Sequence, residues 1–344
     1  MISKLVDLLK YAPSGGNLQP WVLKIVQTNT NTNMTISLDP KIRFEQQHTD
    51  HCGYGALISL GVLSYSVQYL CQNFGYLFAN RLIHSDTDLY KNFISIDLEK
   101  CDPIQTPRPQ IFRYRFTDRR PYEKKPLPPS LTETLKSDYD TSLLFFDEAR
   151  ARKLVTSVFT QLSLIRFQNK SLFKELSHEL KSDDRETTGI PISNLGVSWV
   201  LSLVTRLQKK FPHILPFAAA YSWPLYESIV RPMTHAATMA CLKQPGNSPD
   251  SWIRLGEKFM HIWLEVSESG MRLQPFGNTL SIANYFQDPS FFSFSKKQIE
   301  RVKSLHSKIL TELNVDTAEA CLFFRIGYSN LEPQETPRKD ISFL

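Results

Sequence analysis

Between Tyr54 and Tyr76 the chain reads YGALISLGVLSYSVQYLCQNFGY, apolar on nearly every side at helical spacing. Such a helix has no polar face to give to water, so it must lie at the centre with other elements around it. Gly55, Ser59, Gly61 and Ser64 are small and would let a second helix approach closely. Gly75 is placed to end the helix just past its last turn. With 344 residues, there is chain enough for one large domain or two ordinary ones around that centre. The apolar share of 42% and charged share of 22% are those of a globular protein.

Strands are expected at 22–27, 34–39, 78–83, 93–98, 142–146, 236–242 and 320–326. Helices are expected at 2–9, 130–137, 147–168 and on to about 181, 199–207, 251–270 and 296–313. The mixture is α+β. Residues 102–110 (DPIQTPRPQ) hold three prolines and read as the best linker, dividing 1–105 from 106–344. Residues 211–235, rich in proline and aromatics, resist assignment.

Charge and cysteine narrow the function classes. The net charge is +6, but Lys and Arg are scattered, so no nucleic-acid partner is expected. A basic excess does suit anionic ligands. Five widely spaced cysteines with no C-x-x-C pair read as reduced thiols. No uninterrupted apolar run reaches ~18 residues, and the opening helix is amphipathic rather than signal-like. A cytoplasmic protein with no membrane partner is therefore expected. The His48-Thr49-Asp50-His51 run has metal-ligand side chains, yet a polar loop of this kind is ordinarily just solvated; no metal is expected.

Two stretches carry chemistry. The first is Tyr11–Trp21, YAPSGGNLQPW, between the opening helix and the first strand. Pro13 stops the helix. Ser14, Gly15, Gly16 and Asn17 are turn formers, and paired glycines let backbone N–H groups approach a flat or anionic ligand. Asn17 and Gln19 each supply donors and an acceptor. A plain helix–turn–strand connection would use the same residues. The second is Arg115-x-Thr117-x-Arg119. In extended chain these three point the same way, and two guanidiniums flanking a hydroxyl make a phosphate clamp. A solvated basic strand is the alternative.

The turn, with Pro13, Ser14, Asn17, Gln19, Pro20 and Trp21 in place, resembles the flavin-binding P-S-x-x-N-x-Q-P-W turn of the nitroreductase family. Arg115-Phe-Thr117-Asp-Arg119 resembles that family's R-x-S-x-R motif, with threonine for serine. Ser269–Asn278 (SGMRLQPFGN) is similar to its proline-containing turn facing flavin N5. Residues 322–340 (LFFRIGYSNLEPQETPRKD) resemble its closing segment, where basic residues return to the cofactor. The resemblance implies FMN, held by Pro13, Ser14, Gly15, Asn17, Gln19, Arg115, Thr117, Arg119, Gln274, Pro275, Phe276, Gly277 and Arg338. It implies hydride transfer from NAD(P)H to a small flat acceptor such as a nitroaromatic or quinone, with no catalytic side chain required.

Family members carry R-x-S-x-R first and P-S-x-x-N second in each subunit of a dimer. Here a single P-S-x-x-N comes first and a single R-x-T-x-R second. That order resembles the Acg-type branch, in which two nitroreductase-like halves are fused as an intrachain pseudo-dimer under a lid. It implies two half-domains, each a mixed, antiparallel-type sheet flanked by helices. It also implies a monomer, with higher oligomers left open. Ser182–Leu195 (SDDRETTGIPISNL) matches the lid insertion in position. A lid-closed protein that sequesters flavin with little turnover is the alternative to an oxidoreductase. One departure is Gly53-Tyr54-Gly55, where an Arg-Glu pair would be expected before the central helix.

Overall fold

The computed structural model describes residues 1–44, 47–211, 222–291, 294–313, 319–332 and 334–341, with side chains of 278–282, 291 and 312–313 left aside. The helices are α1 (Ile2–Leu9), α2 (Tyr54–Leu70), α3 (Arg108–Tyr114), α4 (Pro129–Tyr139), α5 (Ala149–Gln168) and α6 (Lys170–Glu179). They continue with α7 (Trp199–Lys210), α8 (Ser222–Leu225), α9 (Arg231–Thr234), α10 (Pro249–Glu268), α11 (Asn278–Gln287) and α12 (Lys296–Leu313). The strands are β1 (Trp21–Gln27), β2 (Asn31–Leu38), β3 (Tyr76–His84), β4 (Phe93–Lys100), β5 (Leu143–Phe145), β6 (Leu180–Lys181) and β7 (Ile190–Pro191). The last three are β8 (Thr238–Gln244), β9 (Arg272–Phe276) and β10 (Ala320–Gly327).

Two four-stranded antiparallel sheets organise the chain, ordered β1-β2-β4-β3 and β5-β8-β10-β9. In each sheet the strands stand first, second, fourth and third by sequence. In each, the long helix, α2 or α10, connects the second strand to the third. On β2 alternate residues Thr32, Met34, Ile36 and Leu38 are buried, as a sheet covered on one face requires. Five consecutive residues of β8 are buried, because α5 and α12 pack on its second face around Phe159, Phe323 and Leu305.

Helices α2 and α10 cross at the centre. Gly61 lies against the Ile253 carbonyl and Gly256 against the Ile58 carbonyl, so closely that a Cβ would stand 1.9 and 2.1 Å from those oxygens. Ser64 Oγ donates to Glu257 Oε1 (2.8 Å), and Arg81 pairs with that same carboxylate. Tyr54 stacks on Trp252 with ring centroids 4.4 Å apart. The small residues of the central helix therefore do admit a partner helix. Tyr54–Phe74 is also long and apolar enough to cross a membrane, but 83% of that window is buried inside the protein.

The HTDH loop proves to be a helix anchor. Asp50 Oδ1 and Oδ2 accept from the Gly55 and Ala56 N–H groups (2.9 and 3.0 Å), capping α2, and Glu175 accepts from the His48 and Thr49 N–H groups. Among the described residues no group of three His, Cys, Asp or Glu is placed to hold a metal. Asp50→Ala is expected to cost about 1–2 kcal/mol, the usual value of a cap. Urea unfolding of Asp50→Ala and Asp50→Asn checks this, the asparagine keeping part of the loss.

Three local expectations change. The proline-rich linker runs into a helix: Pro107 precedes α3 and Pro109 sits in its first turn, where a missing N–H costs nothing. The 272–276 stretch is a strand rather than a turn. Its Pro275 is tolerated because β9 is the edge strand of its sheet, with β10 as its one strand neighbour among the described residues. Helix α4 begins at Pro129, one residue before the expected 130, and runs on to Tyr139.

Candidate functional site

The turn after α1 is locked from within. Ser14 is extended, residues 15–17 form one 3-10 turn, and the Gln19 N–H donates to Ser14 Oγ (2.9 Å). Asn17 and Gln19 both adopt positive φ, 55° and 52°. Asparagine visits that region readily, whereas for glutamine it costs roughly 1–2 kcal/mol. The outward contacts of the two side chains hold it. Gln19 Nε2 donates to the Thr187 carbonyl (2.7 Å), and its Oε1 accepts from the Lys339 N–H (2.8 Å). Asn17 Nδ2 donates to the carbonyls of Pro337 (3.1 Å) and Thr187 (3.4 Å), and Asn17 Oδ1 accepts from Arg338.

The 115–119 segment is fixed from the other side. Thr117 bridges to Leu273 on the free edge of β9. The buried Arg325 of β10 donates to Gln274 Oε1 (2.7 Å) and to the carbonyls of Pro232, Asp118 and Arg120. Tyr122 stacks on its guanidinium at 3.8 Å and donates to the Asp118 carbonyl. Arg120 turns away and forms a bidentate pair with the buried Asp118 (2.8 and 2.9 Å). Burial would raise the Asp118 carboxyl, but hydrogen bonds from Arg120 hold it below the usual range.

These segments meet in a cleft. Pro13, Ser14, Asn17, Thr117, Arg119 and Arg338 all line it. So do residues that the motifs did not single out: Tyr11, Arg113, Tyr114, Phe116, Ile190, Glu335 and Thr336. The aromatic-basic run IFRYRF carries the signal for Arg113, Tyr114 and Phe116. Arg115 lies behind the lining, donating to the Tyr11 carbonyl (2.8 Å) and resting on the Trp263 ring at 4.3 Å. Gly15 is exposed, and Gln19 is turned to Thr187 and Lys339 rather than into the cleft. Gln274, Pro275, Phe276 and Gly277 are not brought into it. Gln274 holds Arg325, Pro275 pairs opposite Phe324, Phe276 packs on Phe159 in the second core, and Gly277 leads into α11.

Basic side chains dominate the cleft, where Arg113, Arg119 and Arg338 line it against Glu335. Arg338 reaches Arg115 and Arg119 from the far end of the chain, and none of the three makes an ion pair among the described residues. Burial pushes the Arg119 and Arg338 guanidiniums down to about 10; the charge of Arg119 adds to the lowering at Arg338, while Tyr122, Asp118 and Glu179 partly oppose it at Arg119. Burial and the nearby Arg338 push Arg115 well down, and its Nε is buried with no hydrogen-bond partner. Cations gathered like this oppose one another until an anion joins them.

The 182–195 segment covers this place. Parallel pairing of β6 with β7 closes its base. Asn194 accepts from Arg119 (3.3 Å) through its carbonyl and donates to Glu335 O and Thr336 Oγ1. Gly196, at φ +69°, lies so near the Arg119 carbonyl carbon that a Cβ would stand 2.6 Å from it.

No family model matches the sequence, and no curated protein does. Among solved structures, the chain superposes on oxidized iodotyrosine deiodinase bound to FMN and 3-iodo-L-tyrosine. That superposition has a TM-score of 0.37 at 13% identity, over 68% of this chain and 95% of the other.

Proposed function

We propose that the cleft binds one FMN per chain and that the protein is an FMN-dependent oxidoreductase of nitroreductase type. The observation that supports this best is the meeting of Arg115, Arg119 and Arg338, none ion-paired among the described residues, beside the Pro13–Asn17 turn. Arginine is suited to a phosphate, and Tyr11, Tyr114, Phe116 and Ile190 offer apolar surface for a flat ring. Arg119, Arg338 and Thr117 would hold the phosphate end, with Arg115 adding charge from behind, and Ser14 and Asn17 would lie at the ring or ribityl chain. FMN when bound supplies hydride chemistry between NAD(P)H and a flat acceptor, a nitroaromatic or quinone. The side chains position it and favour its anionic reduced form.

The shared strand order of the two sheets, each with its long helix between second and third strands, favours an origin as two fused halves. The first half would supply the turn, and the second the arginines and cover. A second reading, flavin sequestration with little turnover, is favoured by one observation: Asn17 and Gln19 both grip the Thr187 carbonyl of the covering segment. Deleting residues 184–191 separates the readings. Faster NADPH reduction or faster flavin loss supports a closing lid, and unchanged rates for both support the ordinary oxidoreductase.

Titration of the purified chain with FMN, followed by flavin fluorescence, tests the main reading. One equivalent is expected to bind. Arg338→Ala is expected to weaken it roughly tenfold to a hundredfold, the value of one charge-assisted group at ~1.5–3 kcal/mol. Arg254→Ala, which removes a surface charge paired to Asp250, should leave affinity unchanged. No binding, two equivalents, or equal effects of the two substitutions would overturn it.

A further inference from the structure

Helix α7 shows solvent a face that a helix in a globular protein ordinarily buries. Trp199 is 77% exposed, and Val200, Leu203, Leu207 and, just past the helix, Phe211 are exposed as well. At about 100° per residue, Trp199, Val200, Leu203 and Leu207 fall within one arc of roughly 100°. Leu201, on the opposite side, is the residue of α7 that is buried. Beyond α7, Trp223 and Tyr226 are exposed too. Exposed apolar residues scattered singly need no explanation, but an ordered stripe of this kind marks a contact surface.

We propose that this face docks on an anionic lipid bilayer, with α7 lying in the interface plane. Charge chooses the occupant. From Trp199 to Lys210 there is no Asp or Glu, and from Phe211 to Tyr226 the sequence has no charged residue at all. Lys210 is exposed and falls within the apolar arc, stacked by its ammonium at 5.5 Å from the Phe211 ring. A lysine with an apolar stem among tryptophan, leucine and phenylalanine suits the boundary of headgroup and acyl chain. A two-fold contact between copies would bury Lys210 of each copy against the other's α7, which has no carboxylate to offset it. Glu227 does not supply one, since it accepts from Ser198 and Trp223.

The other flank of α7 is anchored. Arg206 donates to the Ser182 carbonyl and pairs with Asp184, and Lys209 donates to the Leu180 carbonyl. The helix thus stays fixed to the cover of the cleft while its apolar face is free to dock. The expectation of no membrane partner rests on the lack of a spanning run and of a signal-like opening helix, and an interfacial helix needs neither.

Co-sedimentation of the full chain with phosphatidylcholine vesicles, with and without 30% phosphatidylserine, tests the proposal. Binding is expected with phosphatidylserine, and bromolipid quenching of tryptophan fluorescence is expected to fall in Trp199→Phe, with the exposed Trp223 keeping part of it. The triple variant W199S/L203S/L207S should lose at least about tenfold in vesicle affinity, and Lys210→Glu about fivefold or more, only on anionic vesicles. Absence of sedimentation on the phosphatidylserine-containing vesicles, or equal binding by the triple variant, overturns the proposal. So does a dimer by light scattering that the triple variant dissolves without any vesicle binding, which would make the face an interface between copies.

Discussion

Gly256→Ala is expected to lose about 3 kcal/mol or more in urea unfolding, and Gly256→Val to leave little folded chain. The added Cβ would stand 2.1 Å from the Ile58 carbonyl oxygen, a backbone atom that no rotamer change can move. The only relief is separation of α2 and α10, whose packing ties Trp252, Trp263 and the Ile253 neighbourhood into one core. Overpacking a well-filled core costs 1–3 kcal/mol, and a backbone clash lies at or above the top of that range. A chain with ~5–15 kcal/mol in total loses a large share of it. Gly61→Ala should behave alike, because its Cβ would meet the Ile253 carbonyl at 1.9 Å. Gly15→Ala is the control: no atom of the described residues lies within 4 Å of its Cβ position. Because Arg115 rests on Trp263 of α10, a displaced α10 should also weaken anion binding. An unchanged urea midpoint for Gly256→Ala would show that the helices do not cross this closely.

Arg120→Ala is expected to cost about 3–5 kcal/mol, although its neighbour Arg119 faces the cleft. Its carboxylate partner Asp118 has no exposed side-chain surface, so removing the guanidinium strands a buried charge. The pH dependence distinguishes this from lost packing. In the native protein the Asp118 carboxyl is held below its ordinary value, so its contribution is present above about pH 4 and is lost as pH falls through the lowered value. In Arg120→Ala the buried carboxyl rises and protonates instead. The difference between native and variant should therefore be largest near pH 7 and shrink as pH is lowered toward 4. A difference that stays constant over that range would assign the loss to packing alone.

The sequence makes its local chemistry legible and its meetings hard to read. Pro13, Ser14 and Asn17 announce a turn by themselves, and the turn is there with Ser14 as its internal lock. The all-apolar run at 54–76 announces a buried helix, which is α-helical over 54–70 and 3-10 over 71–74, and its small residues announce a neighbour. Gly256 announces nothing: one glycine within an amphipathic helix has no local signature, and its role appears only opposite Ile58. Arg325 reads as a basic residue of a closing strand, whereas it is buried beneath the clamp segment, satisfied by three carbonyls and Gln274. The proline in LQPF reads as a turn because edge position, which excuses it, is a property of the finished sheet. Asp50, in a loop that reads as solvated, caps a helix whose first N–H groups lie five and six residues on.

The hydrogen bonds of Asn17 and Gln19 to Pro337 and Lys339 span 320 positions of sequence. A ribosome adding ~5–20 residues per second needs roughly 15–60 s to travel that far. The first sheet, finished by Lys100, has all its strands long before then. Over that interval Asn17 and Gln19 have neither Thr187 nor the 337–339 backbone to bind, and Arg338 has not yet been made. A ligand that needs Arg338 beside Arg119 is therefore held in full only once residues 337–339 have been made, long after the first sheet is complete.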